Sequence, residues 1–300
     1  MAERRQVREG LVYGLAAYGA WGFAPIYFKA VTHVGALEVL AHRVLWSLLL
    51  LCAWVLATGG LTRVRQALRR PRLLATLALT STLVVSNWGV FIWAVGHARV
   101  LEASLGYFIN PLFNVLLGYF FLGERLRRAQ WLSALLATTG VAFLTWRLGA
   151  VPWVALYLAG AFSAYGLLRK LAPVDGVVGL TLETAVLAPV ALAYLLFLRA
   201  SGSLGFLHLG PMIDGLLVAA GVVTAVPLAW FANGVQRLPL STMGFLQFVS
   251  PTLQFLLAVL LYREPFGRAH VVAFGLIWTA VVLFSADAWH QRRGLGRPAI

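Results

Sequence analysis

Charged side chains in this chain are swept almost entirely into short gaps between long apolar stretches, and that segregation leaves a lipid bilayer as the solvent it fits. An α-helix rises about 1.5 Å per residue, so crossing a hydrocarbon core of about 30 Å takes about 20 apolar residues. Ten segments meet that requirement, near 9–29, 36–57, 72–96, 101–122, 128–147, 151–169, 176–198, 211–235, 240–262 and 269–288. The longest hydrophilic stretches, 58–71 and 199–210, leave no room for a soluble domain. Composition agrees: 61% of residues are hydrophobic and 11% charged, too few polar side chains to cover a surface in water. The expected fold is all-α, a polytopic membrane protein with ten transmembrane helices joined by short links, so that chain neighbours form antiparallel hairpins. The first segment follows a basic start, as in a signal peptide, but runs on to Phe28 with no small-residue cleavage site. It reads as an uncleaved span.

The net charge of +14 reports topology. Lys and Arg collect in cytoplasmic loops of inner-membrane proteins. With the N-terminus in the cytoplasm, only Lys29, Arg99, Arg147, Arg199, Arg263 and Arg268 fall on the far side. Arg43 lies inside a span, and every other Lys and Arg is cytoplasmic. An even number of spans returns the C-terminus to the cytoplasm, beside Arg292, Arg293 and Arg297. The expectation is an inner-membrane protein with both termini inside and no nucleic-acid partner. The single cysteine, Cys52, excludes an intramolecular disulfide and a cysteine-built metal cluster.

The chain also resembles itself at a shift of 140 residues. His97 falls on Arg237, Phe91 on Phe231, Phe108 on Phe248, Asn110 on Ser250, Pro111 on Pro251, Asn114 on Gln254 and Glu124 on Glu264. The shared unit is the fourth span of each half, with a polar–Pro pair near its middle. Five spans per half is an odd number, so the second copy enters the membrane from the opposite side. Two inverted five-helix repeats, 1–147 and 148–300, are expected. Such folds place a substrate path between the repeats and alternate its access by rocking.

A charge at a helix centre costs about 2.5–3.5 kcal/mol on insertion scales, so the exceptions carry information. His42, Arg43, Glu102 and Glu183 are the candidates for a substrate or translocation path. Arg43 is expected to meet a carboxylate, Glu38, Glu102 or Glu183, or else to anchor an anionic or carbonyl group on a substrate. Glu102, Gly106, Asn110 and Asn114 recur every four residues, a stripe that either glues helices or lines a cavity. Trp88, Phe91, Trp93, Tyr107 and Phe108, with Asn87, could form an aromatic cage around one polar anchor. Gln247, in the ninth span, completes the path candidates. Gly160 with Ala164, and Gly215 with Ala219, are expected to let helices approach closely. No Walker A, GxGxxG, HExxH or GxSxG motif is present, so neither ATP-driven transport nor a protease of those types is indicated, and no cofactor is expected. Driving energy would come from a gradient or exchange, with Glu102 or Glu183 as candidate proton carriers.

Ala17–Lys29, Ala41–Ser47, Asn87–Val95, Leu101–Pro111 and Leu122–Arg125 resemble the RarD type of the EamA transporter family, within the drug/metabolite transporter superfamily. Val223–Pro227, Leu240–Pro251 and Asp287–Arg292 extend the resemblance through the second half. It implies ten spans in two repeats and an exporter-like architecture. Related superfamily members export amino acids and other metabolites. The resulting expectation is a secondary transporter, an exporter of a small amphipathic, amino-acid-like or drug-like molecule, with substrate and membrane lipid as its partners. An integral-membrane enzyme on lipid-linked substrates and a non-transporting sensor or assembly factor are the alternatives.

Overall fold

The computed structural model describes residues 2–122, 128–238 and 246–295. Every regular element among them is helical. In chain order they are α1 (Ala2–Ala30), α2 (Ala36–Ala57), α3 (Leu61–Leu68), α4 (Pro71–Gly96), α5 (Val100–Leu122), α6 (Arg128–Leu148), α7 (Trp153–Leu171), α8 (Gly176–Ala200), α9 (Pro211–Arg237), α10 (Val249–Leu256, continued by a π-helical turn, Leu257–Leu261) and α11 (Arg268–Leu295). All but α3 coincide with the ten predicted spans. Seven described helices are long and apolar enough to cross a membrane by length and composition alone. α1, α7 and the described part of the ninth span are not among them. α7 buries one face against protein, with Val154, Ala155, Leu158 and Ala159 fully buried. Glu124 and the predicted start of the ninth span, 240–245, lie outside the described residues.

The predicted hydrophilic link 58–71 folds into α3, a short amphipathic helix. Its Ala67 packs with Leu73, Leu77, Ala172, Val178 and Leu182, while Arg63 reaches Asp175 at 3.4 Å. Gly60 and Pro71 bound this helix, and neither residue type interrupts it.

The helices repeat at the same shift as the sequence. Ala36 and Gly176 open α2 and α8, Pro71 and Pro211 open α4 and α9, and Arg128 and Arg268 open α6 and α11. Exchanging the halves also maps the interfaces onto one another. α1–α9 becomes α7–α4, α2–α9 becomes α8–α4, and α1–α10 becomes α7–α5. The α2–α8, α5–α10 and α6–α11 interfaces map onto themselves. That is the pattern of a pseudo-twofold axis relating two inverted five-helix repeats.

One expectation needs correcting. Helices adjacent in the chain barely touch among the described residues, and the dense packing runs between the halves. Short links fix the direction of the next crossing but not which helix lies beside it. The closest approaches also fall elsewhere than predicted. A Cβ on Gly106 would stand 2.7 Å from the Ala155 carbonyl oxygen, and one on Gly221 2.6 Å from the Trp46 carbonyl carbon. Gly215 has open space beside it, and Gly160 meets only Phe113.

Candidate functional site

α2 carries Arg43 into the seam between α4 and α9. Its Nε donates to Thr224 Oγ1 of α9 at 2.8 Å, and Thr224 passes its own proton to the Ala220 carbonyl. The guanidinium lies 3.9 Å from the centre of the Trp88 ring on α4 and 5.5 Å from Phe28 on α1. The expected carboxylate partner is not there. Among the described residues no carboxylate comes within ion-pair distance of Arg43, and its two terminal amino groups donate to none of them. The residue is buried, keeping 8% of its surface, and Glu183 and Asn110 keep none.

The predicted aromatic cage disperses. Phe91 bridges Phe28 and Tyr107 by ring contacts of 5.9 Å each. Trp93 instead stacks on His97 at 4.3 Å and faces Trp153. Phe108 packs against Phe274 and Trp278. Trp88 and Tyr107 thus stay near Arg43, and Trp93 and Phe108 do not.

The amides tie helices to α7. Asn87 Nδ2 donates to the Leu158 carbonyl at 3.0 Å and its Oδ1 accepts from the Tyr107 hydroxyl at 3.4 Å. Asn110 Nδ2 donates to the Ala159 carbonyl at 3.2 Å and to Ser163 Oγ at 3.0 Å. Its Oδ1 accepts from Asn114 and from Gln247, each at 3.2 Å. Successive α7 carbonyls therefore hold Asn87 of α4 (at Leu158) and Asn110 of the predicted stripe (at Ala159), and these amides act here as glue between α4, α5, α7 and the Gln247 segment.

Glu183 belongs to a separate cluster. Its Oε1 accepts from Thr80 at 2.6 Å, its Oε2 from the Tyr165 hydroxyl at 3.3 Å, and Arg169 Nε stands 3.7 Å away. The Arg169 guanidinium rests in the notch left by Gly179, one turn before Glu183. The buried carboxylate is therefore compensated within the protein.

Glu102 and His42 sit nearer the helix ends. Glu102 lies in the first turn of α5, pairs with Arg99 at 2.7 Å and accepts the Val154 amide at the start of α7. It lines a cavity of about 240 Å³ together with Glu264 and His270. Glu264 accepts the Val100 and Leu101 amides at 2.8 Å each, capping α5. Burial pushes its carboxyl above the usual carboxylate range, and the two amides and Lys29 offset part of that shift. His42 Nδ1 accepts from the Trp46 indole at 3.2 Å, and its ring lies 4.7 Å from Phe206. It lines a lateral groove of about 870 Å³ between α2, α8 and the 201–210 link. That link is pinned by Glu38, which accepts the Gly205 and Phe206 amides at 2.9 Å.

The ten predicted residues thus divide. Arg43, Trp88 and Tyr107 converge, and Asn87 joins them through Tyr107. Asn110 and Gln247 form the α7 tie. His42, Trp93, Glu102 and Glu183 each stand apart from the Arg43 centre. Sequence reasoning passed over Thr224, Thr80, Tyr165 and Arg169. Thr224 was within reach, since it lies in the Val223–Pro227 stretch.

Comparison with known proteins is consistent along the chain. A model of the EamA-like transporter family matches residues 8–146. Protein RarD of Salmonella typhi is 46% identical over 294 residues, covering 97% of this chain and 99% of that protein. An uncharacterized transporter of Pseudomonas aeruginosa is 44% identical over 97% of this chain and 98% of its own length. The chloramphenicol-sensitive protein RarD of the same organism is 35% identical, with coverages of 97% and 98%. One solved crystal structure shares the fold, with a TM-score of 0.60 at 24% identity, over 96% of this chain and 99% of that one.

Proposed function

The chain belongs to the EamA-like transporter family, in its RarD-type branch, and from that membership we propose that this multi-pass inner-membrane transporter is a secondary exporter of a small amphipathic metabolite or drug-like molecule. The observation that carries the reading is the Arg43 centre: a buried cation with no carboxylate partner among the described residues, ringed by Trp88, Phe28 and Tyr107, where helices of the two halves meet. We read 1–147 and 148–300 as the two repeats, and both termini as cytoplasmic. Because α2 and α8 pack on each other, and α1 and α2 on α9, the moving bodies would be mixed bundles drawn from both repeats. Arg43 would be the first contact for cargo, with Trp88 and Tyr107 as walls. Asn87, Asn110 and Gln247 would hold α7 against the path.

The test compares the media of cells expressing the protein with those of empty-vector cells by untargeted mass spectrometry. Compounds enriched by expression are then offered to everted vesicles, with and without a protonophore. Uptake that depends on the protein supports export, and its loss with the protonophore would show that export draws on the proton-motive force. Media indistinguishable from the empty-vector control would sink the exporter reading.

A further inference from the structure

Most buried charges in a bilayer protein must be met by an opposite charge or by hydrogen-bond donors and acceptors. Among the described residues the buried carboxylates obey this. Glu38 accepts two backbone amides, Glu264 accepts two, and Glu183 holds Thr80, Tyr165 and Arg169. Arg43 is different. Its support is one neutral hydroxyl and two ring faces, which offset only part of the cost of taking a cation out of water.

The pseudo-twofold axis sharpens that contrast. Adding 140 to Arg43 gives Glu183, so the two occupy the same turn of α2 and α8. Each hydrogen-bonds a threonine on the third span of the other half, Thr224 on α9 and Thr80 on α4. The matching position at the end of the first span of each half holds Lys29 and Arg169. In the second half Arg169 supplies the counter-charge to Glu183. In the first half both members are cations, and Lys29 turns instead to the Val95 carbonyl and the Tyr262 ring. The duplicated site therefore carries a compensated anion on one side of the axis and an uncompensated cation on the other.

Resting on the transporter reading above, we propose that the cargo is an organic anion whose carboxylate, or a comparable oxyanion, is the missing partner of Arg43. Arginine presents its two terminal amino groups as a planar fork that matches a carboxylate. With Nε committed to Thr224, that fork is the part left free. The neighbouring rings of Trp88, Phe28, Phe91 and Tyr107 suit an apolar or aromatic body behind the anionic group.

Three probes sharing one skeleton test the proposal on the purified full-length protein: phenylacetate, phenethylamine and 2-phenylethanol. The readout is the unfolding midpoint, which rises with ligand excess over the dissociation constant. Phenylacetate should raise the midpoint of the wild type, and the amine and the alcohol should not. Arg43→Met should weaken phenylacetate binding by at least about tenfold. Without any probe it should unfold no lower than the wild type, because it removes an unmatched charge. Arg43→Lys, which keeps the charge but loses the fork, should bind with intermediate affinity. The proposal is overturned by a wild type indifferent to phenylacetate, by equal stabilisation from phenethylamine, or by an Arg43→Met protein that still responds. A probe-free Arg43→Met protein far less stable than the wild type also overturns it, since native contacts would then already satisfy the guanidinium. Arg43-dependent binding without flux in liposomes would support the anion site and sink the transport reading. Flux of amines with no anion response would do the reverse.

Discussion

Removing the charge from Glu183 separates a structural lock from a proton carrier. The Glu183 carboxylate is fully buried and joins three helices: α8, which carries it, α4 through Thr80, and α7 through Tyr165 and Arg169. Breaking a buried ion pair by deleting one partner costs about 3–5 kcal/mol, because the other charge is stranded. Glu183→Gln keeps one acceptor oxygen, for either Thr80 or Tyr165, and turns the other into an NH2 donor, so a loss of at least about 3 kcal/mol is expected. The loss falls on Arg169, whose Nη1 already lacks a hydrogen-bond partner and whose Nη2 has only the Gly176 carbonyl, at 3.4 Å. Equilibrium unfolding in mixed micelles of rising SDS fraction measures this for Glu183→Gln, Arg169→Gln and the double variant. The double variant should fall short of the sum of the singles by more than about 1 kcal/mol, the range expected of contacting residues. Gly179→Ala, which drives the Arg169 guanidinium out of its notch, should reproduce part of the loss without touching either charge. A neutral Glu183→Gln, or strict additivity, would refute the lock and return Glu183 to the list of titrating groups for transport.

Two further outcomes follow from the packing. Gly106→Ala places a Cβ 2.7 Å from the Ala155 carbonyl oxygen, which is backbone and cannot swing aside, so overpacking should cost about 1–3 kcal/mol in the same unfolding assay. A neutral result would mean that α5 and α7 do not pack this tightly. Glu38→Ala strands the Gly205 and Phe206 amides and releases the 201–210 link, so limited proteolysis there should speed up several-fold, while cleavage near Arg63 to Arg70 in the α3 region stays unchanged.

Hydropathy located the spans and the 140-residue shift located the symmetry, because both are properties of sequence order. Hydropathy says nothing of partners, which packing between the halves decides. Arg43 and Thr224 are 181 residues apart and meet only because α2 lies against α9. A reading that treated chain neighbours as packing neighbours could only offer Arg43 a carboxylate by residue type. The partners of the amides were hidden for a related reason. Asn87 and Asn110 spend their donors on the Leu158 and Ala159 carbonyls, and Glu38 and Glu264 accept from backbone amides. Every residue owns such groups, so no side-chain pattern marks which of them will be used. What the sequence did carry was the cost. It marked Arg43 and Glu183 as expensive, and the 140-residue shift makes them one position in two copies, of opposite sign. Duplication gives both halves the same geometry around that position. The difference lies in what surrounds it: Arg169 answers Glu183, and Lys29 cannot answer Arg43. A symmetric scaffold can thus hold one buried charge permanently and leave the other to be matched by what passes through.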